Sequence, residues 1–136
     1  MTPIFYSIEE ANALIPSVRI DLEALQGIKQ QLDMKFSMLQ QLRITLENSK
    51  NNEDSDPFFE LECEIEFLQF EAHTHVTNVH RKGIELKDIE IGLVDFPAKI
   101  KGVEVLLCWR LGEEQIMFYH SRESGFMGRR PISEME

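Results

Sequence analysis

Apolar residues recur every three or four positions through residues 8–47 and 57–82 of the chain, and from Ile84 the period falls to about two. The first period is that of a helix with one buried face, the second that of a strand. Ser7 and Glu10 form a capping box that opens the first helix. Pro16 lies too deep to sit in that helix's first turn, where its missing N–H would cost nothing. The pattern therefore predicts a short N-terminal helix over 8–14, a break, and a restart with Pro16 at the first helical position. The restarted helix runs over 16–47, with Val18, Leu22, Leu25, Leu32, Phe36, Leu39 and Leu46 on one stripe and Ile28 and Leu42 widening it.

Residues 48–56, NSKNNEDSD, have no apolar content and read as a disordered polar loop. Asp56-Pro57 then supplies a cap and a first-turn proline for a helix over 57–82. Its seam is Phe58, Leu61, Ile65, Leu68, Ala72, His75 and Val79, with His75 in a core position, and Gly83 is its stop. Two long helices joined by a short loop imply an antiparallel, coiled-coil-like hairpin. Phe59, Phe67 and Phe70 lie off that seam, more apolar surface than a lone hairpin can expose. They predict packing on the C-terminal part or on a second copy of the hairpin, and the second copy is favoured: a homodimer through the long helices.

From Ile84 on, residues 103–110 and 114–120 read as strong strands joined by a tight turn at Leu111-Gly112. Residues 92–98 read as a strand that Pro97 ends, and 84–87 as a candidate short strand. The expected fold is α+β within one domain over 1–136. Its helical part spans 1–83, and a small antiparallel three-stranded sheet with its tail spans 84–136.

The formal net charge of −10 changes the picture of partners. Residues 1–83 hold 14 acids against 7 bases, and 84–136 hold 10 against 7. Such a surface repels phosphate backbones and disfavours nucleic acid, although Arg129-Arg130 is a local basic spot. Cys63 and Cys108 sit in unlike contexts and read as free thiols of a reducing compartment. No leader pattern and no long apolar run occurs. The expectation is a cytoplasmic protein without membrane contact.

The candidate chemistry gathers in the last third. Asp95 stands inside an apolar strand, so it must face water, meet a partner or titrate abnormally; Arg110, Arg129 and Arg130 are the partners in view. Cys108, between Leu107 and Trp109, reads as an inert buried thiol. With Trp109 opposite Glu113 or Glu114, His120 falls beside Val103. That is roughly 15 Å from Cys108 at strand spacing, too far for one ion to bridge. No metal set and no cofactor is expected. His73 and His80 share a solvated helix face with Glu62 and Glu66. The glycines and arginines of GFMGRRP at 125–131 offer amides and guanidinium groups to a small anion, without the spacing of a phosphate-binding loop.

FYSIEEANALIPSVR at 5–19, LVDFPA at 93–98, LLCWRLGEEQIMFYH at 106–120 and GFMGRRPI at 125–132 resemble the prokaryotic domain-of-unknown-function family 2203. The resemblance implies a helical pair followed by a small β module, and brings no activity with it. The leading functional reading is a non-catalytic dimeric interaction or regulatory protein that recognises an unknown protein partner through its β module. The alternative is a small-ligand or metal-dependent enzyme with a site between the sheet and the helix ends. Its lining would be Asp95, Trp109, Glu113, His120 and Arg129: Trp109 as a stacking wall, Asp95 or His120 as acid–base or ligand group, Arg129 as anion clamp.

Overall fold

The computed structural model describes residues 3–47 and 56–135; the loop read over 48–56 lies outside them except for Asp56. The capping box forms as its sequence dictates. Ser7 Oγ accepts from the Glu10 amide at 3.1 Å, and Glu10 Oε1 accepts from the Ser7 amide at 2.9 Å. From there one helix, α1 (Ile8–Glu47), continues unbroken through Pro16, so the expected short helix and restart do not occur. Tertiary packing overrides the proline. Ala11, Ile15, Val18 and Leu22, on both sides of Pro16, are all buried against the sheet. Burying each large side chain is worth about 1.5–3 kcal/mol, against about 3 kcal/mol for an interior proline. Pro16 itself points to solvent, and Ser17 Oγ bonds the Leu14 carbonyl at 3.0 Å beside it.

Asp56 caps α2 (Pro57–Arg81) by accepting from the Phe58 amide at 3.0 Å. Gly83 follows with φ +76°, and Ile4 stands 3.2 Å from where a Cβ would be. The helices run antiparallel, as three cross-links show: Lys82 Nζ donates to Ser17 Oγ (3.1 Å), His75 Nδ1 meets Asp21 Oδ1 (2.8 Å), and Lys35 Nζ meets Glu64 Oε2 (2.7 Å). Leu61, Ile65, Leu68 and Val79 of the expected seam are buried, whereas His75 is half-buried at the seam's edge.

The remainder is a meander of five antiparallel strands rather than three: β1 (Glu85–Asp88), β2 (Leu93–Ile100), β3 (Val103–Arg110), β4 (Phe118–His120) and β5 (Arg130–Pro131), in that spatial order. β2 passes through Pro97 instead of ending there. β1 pairs with β2 only as far as Asp95, so Pro97 has no β1 partner to donate to. On that side its carbonyl accepts from the Tyr6 amide at 2.7 Å.

One sheet face, carrying Val94, Phe96, Ala98, Leu107 and Trp109, packs on α1 and on Val79 of α2 to make the main core. The opening segment ties the layers together. The Tyr6 ring meets Phe96 edge-on at 5.8 Å, and its hydroxyl donates to the Lys82 carbonyl. A second, small cluster of Leu39, Leu61 and Ile65 lies wholly between the far halves of the helices. α1 is thus a spine shared by the sheet at one end and a two-helix arm at the other.

Candidate functional site

The other face of the sheet is buried too. Residues directly opposite one another on paired strands point to the same face, and Glu85, Asp95 and Cys108 are aligned in this way across β1, β2 and β3. β4 adds His120, opposite Leu106 and one same-face step from Cys108. Asp95, Cys108 and His120 are 1%, 0% and 3% exposed. A ligand-capable atom from each lies within 4.8 Å of the other two.

This juxtaposition overturns the spacing inferred from a tight hairpin. Trp109 does not face Glu113 in a ladder, and the strand expected over 114–120 shrinks to Phe118–His120. The residues between are engaged elsewhere. Glu113 closes the turn, its amide bonding Arg110 O at 3.0 Å and its carboxylate accepting from the Arg110 amide at 2.7 Å. The Ile116 amide donates to Asn12 Oδ1 on α1 at 2.8 Å, and the Ile116 side chain enters the core. The bulging chain slides β4 along β3 and brings His120 beside Cys108.

The hydrogen bonds constrain the protons. His120 Nδ1 faces the Ser121 carbonyl at 2.7 Å, so it carries a hydrogen, because a carbonyl only accepts. Nε2 faces Asp95 Oδ2 at 3.0 Å, so the pair holds one further proton between them. Among the described residues, Asp95 Oδ1 has no hydrogen-bond partner. Burial pushes the Asp95 carboxyl above its ordinary value, partly offset by His120. Burial, with the Asp95 charge, pushes the Cys108 thiol up to about 11, while Arg129 opposes the rise.

The tail folds over this face. Arg129 lies over the rings of Phe118 and Phe126, 4.0 and 4.5 Å from their centres. Its Nη1 is 4.0 Å from Cys108 Sγ and 3.7 Å from Glu113 Oε1. Arg122 reaches from beyond β4 to Glu85 on β1, with bonds of 2.9 and 3.2 Å, crossing above the strand that carries Asp95. Between β4 and the tail lies a cleft of about 520 Å³ lined by Tyr119, His120, Arg129 and Arg130 among others.

Of the residues singled out from sequence, Asp95, His120, Arg129 and Glu113 therefore share one neighbourhood. Asp95's partner is His120 rather than an arginine. The neighbourhood lies on the sheet face away from the helices, not between the sheet and the helix ends. Trp109 is no wall to it: the ring is buried in the main core, with Nε1 donating to the Glu113 carbonyl at 3.0 Å. Cys108 is the member that sequence reasoning set aside. Its strand parity with Asp95 is readable only once the β2–β3 register is known.

Residues 4–132 match the family described as Uncharacterized conserved protein (DUF2203). The chain belongs to that family. No curated protein and no solved structure matches it. Among the described residues, no helix of this DUF2203 member is long and apolar enough to cross a membrane. The family assignment carries no chemistry.

Proposed function

We propose that the protein is a homodimeric interaction protein, joined through its helical arm and presenting its β module to a partner protein. The supporting observation is a second apolar face on α2. At about 100° per residue, Phe59, Cys63, Phe67 and Phe70 fall within roughly 80° of one another, about 170° from the Leu61–Ile65–Leu68 seam. The three phenylalanines are 65%, 62% and 70% exposed, and Met34 and Met38 are exposed on the neighbouring stretch of α1. A helix apolar on both sides is built to be covered twice. The arm's own core occupies one side, and the sheet lies at the opposite end of α1.

A second copy is the occupant that fits. Covering three rings on each of two protomers hides roughly 800 Å², before flanking residues, toward the ~1,200–2,000 Å² of a stable interface. A two-fold axis also lets the same stripe meet itself. Such a dimer is a four-helix arm with a β module at each end, each offering the cleft beside Arg129 and Arg130 for recognition.

Sedimentation of the untagged protein at micromolar concentration tests this reading, with Phe67→Asp as the variant. The expected result is a dimer that the variant converts to a monomer of unchanged helicity. A monomeric parent protein, or a variant that stays dimeric, overturns it.

A further inference from the structure

We propose that Asp95, Cys108 and His120 form a binding site for a divalent transition-metal ion of the zinc type. Three independent features of the geometry point there. The donor set mixes a thiol sulfur, an imidazole nitrogen and a carboxylate, the set that selects zinc or cobalt over magnesium or calcium, which take oxygen alone. The three atoms come from three neighbouring strands of one sheet and converge within 4.8 Å. Bonds of about 2.0–2.3 Å in a tetrahedral arrangement place ligand atoms roughly 3.3–3.8 Å apart, so the widest pair closes by ~1 Å.

The second feature is the imidazole's orientation. A metal-bound histidine characteristically donates its other ring N–H to a carbonyl or carboxylate, which fixes its tautomer. His120 Nδ1 already donates to the Ser121 carbonyl at 2.7 Å, and Nε2 is turned toward the other two ligands. The third feature is Asp95 Oδ1, a fully buried acceptor with no partner among the described residues. Leaving such an oxygen buried and unsatisfied is destabilising. A cation in the cluster gives this carboxylate a ligand's role.

The charges also balance. Without metal the cluster holds the Cys108 thiol proton and the proton shared by Asp95 and His120, and is neutral overall. Binding M²⁺ releases both protons and leaves a thiolate, a carboxylate and a neutral imidazole around two positive charges, again neutral. Arg129 beside the sulfur adds no net charge to the neighbourhood, because Glu113 is paired with it at 3.7 Å. Three protein ligands leave a fourth position for water or a small ligand, and the cleft lined by His120 and Arg129 is the route from solvent.

Cobalt(II) is the probe, added to chelator-treated, untagged protein carrying Cys63→Ser, which removes the exposed thiol. The expected result is one equivalent of cobalt with a thiolate-to-cobalt charge-transfer band and the intense visible bands of tetrahedral coordination, both erased by zinc. His120→Gln and Asp95→Asn, checked for native circular dichroism, weaken binding by more than the roughly 10–100-fold that losing an outer-shell partner costs. The parent spectrum stands even where a variant fails to fold. No binding, binding without the charge-transfer band, or a band seen only when Cys63 is present overturns the site, leaving the cluster a proton-linked core network.

Discussion

Replacing His120 by alanine in metal-free protein tests the buried pair directly. The imidazole is the hydrogen-bond partner of Asp95 Oδ2, and Oδ1 has none among the described residues. Its removal leaves a carboxylate inside the sheet with only the weak Cys108 thiol beside it. Breaking a buried ion pair in this way costs about 3–5 kcal/mol when the remaining charge has no escape. Asp95 does have one, since it can bind a proton. Its folded-state pKa is already raised by burial, with His120 the leading influence holding it down. Without His120 it rises further.

Between the ordinary carboxyl value and that raised one, the folded variant binds a proton that the unfolded chain does not. Its stability therefore increases as pH falls through this window and is lost as pH rises through it. Urea unfolding at two pH values measures the effect. The expected loss is about 3 kcal/mol at pH 7, or roughly 12 °C in Tm at ~4 °C per kcal/mol for a chain of this size. The loss at pH 5 is smaller. Adding Asp95→Asn to the variant recovers part of the loss at pH 7 and removes the pH dependence. A loss under ~1 kcal/mol, or one equal at both pH values, would refute the picture of a buried, proton-linked pair.

Three further outcomes follow from the same structure. In native metal-free protein at neutral pH, a thiol reagent should label Cys63, which is exposed, and spare Cys108, which is buried with a pKa of about 11; prompt labelling of both sulfurs contradicts this. Because that thiol's folded value is raised, its contribution to stability is present below about pH 8.5 and declines toward pH 11, an alkaline loss that Cys108→Ala abolishes. Pro16→Ala should raise stability by about 1–2 kcal/mol, by restoring a helix-interior hydrogen bond at a solvent-facing position. An unchanged or lowered Tm would mean that the proline ring itself supports the packing of α1 on the sheet.

Local chemistry was legible wherever it is decided within a few residues. Ser7 and Glu10 satisfy each other's amides, Asp56 caps α2, and Gly83 ends it, because each uses partners no more than four positions away. The seam of α2 was legible for the same reason, since helical periodicity is a property of the chain itself. Pro16 was not legible, because its cost is local while the compensation is not: Ile15 and Val18 share with Phe96 and Trp109 one core that the sequence cannot assemble. Pro97 repeats the lesson in a strand, where the answer depended on how far β1 extends.

The sequence by itself determined an α+β chain with a long helical pair, two apolar stripes on α2, and an acid, a thiol and a histidine embedded in strands. Only the tertiary structure decided that these last three meet. A strand's parity places a side chain on one of two faces, but register between strands depends on what the connecting loop bonds to. Here the Ile116 amide bonds Asn12, over a hundred residues earlier, and Glu113 folds back on Arg110. Those long-range and turn-closing bonds set β4 against β3 so that His120 reaches Asp95, a pairing that no pattern along the chain encodes.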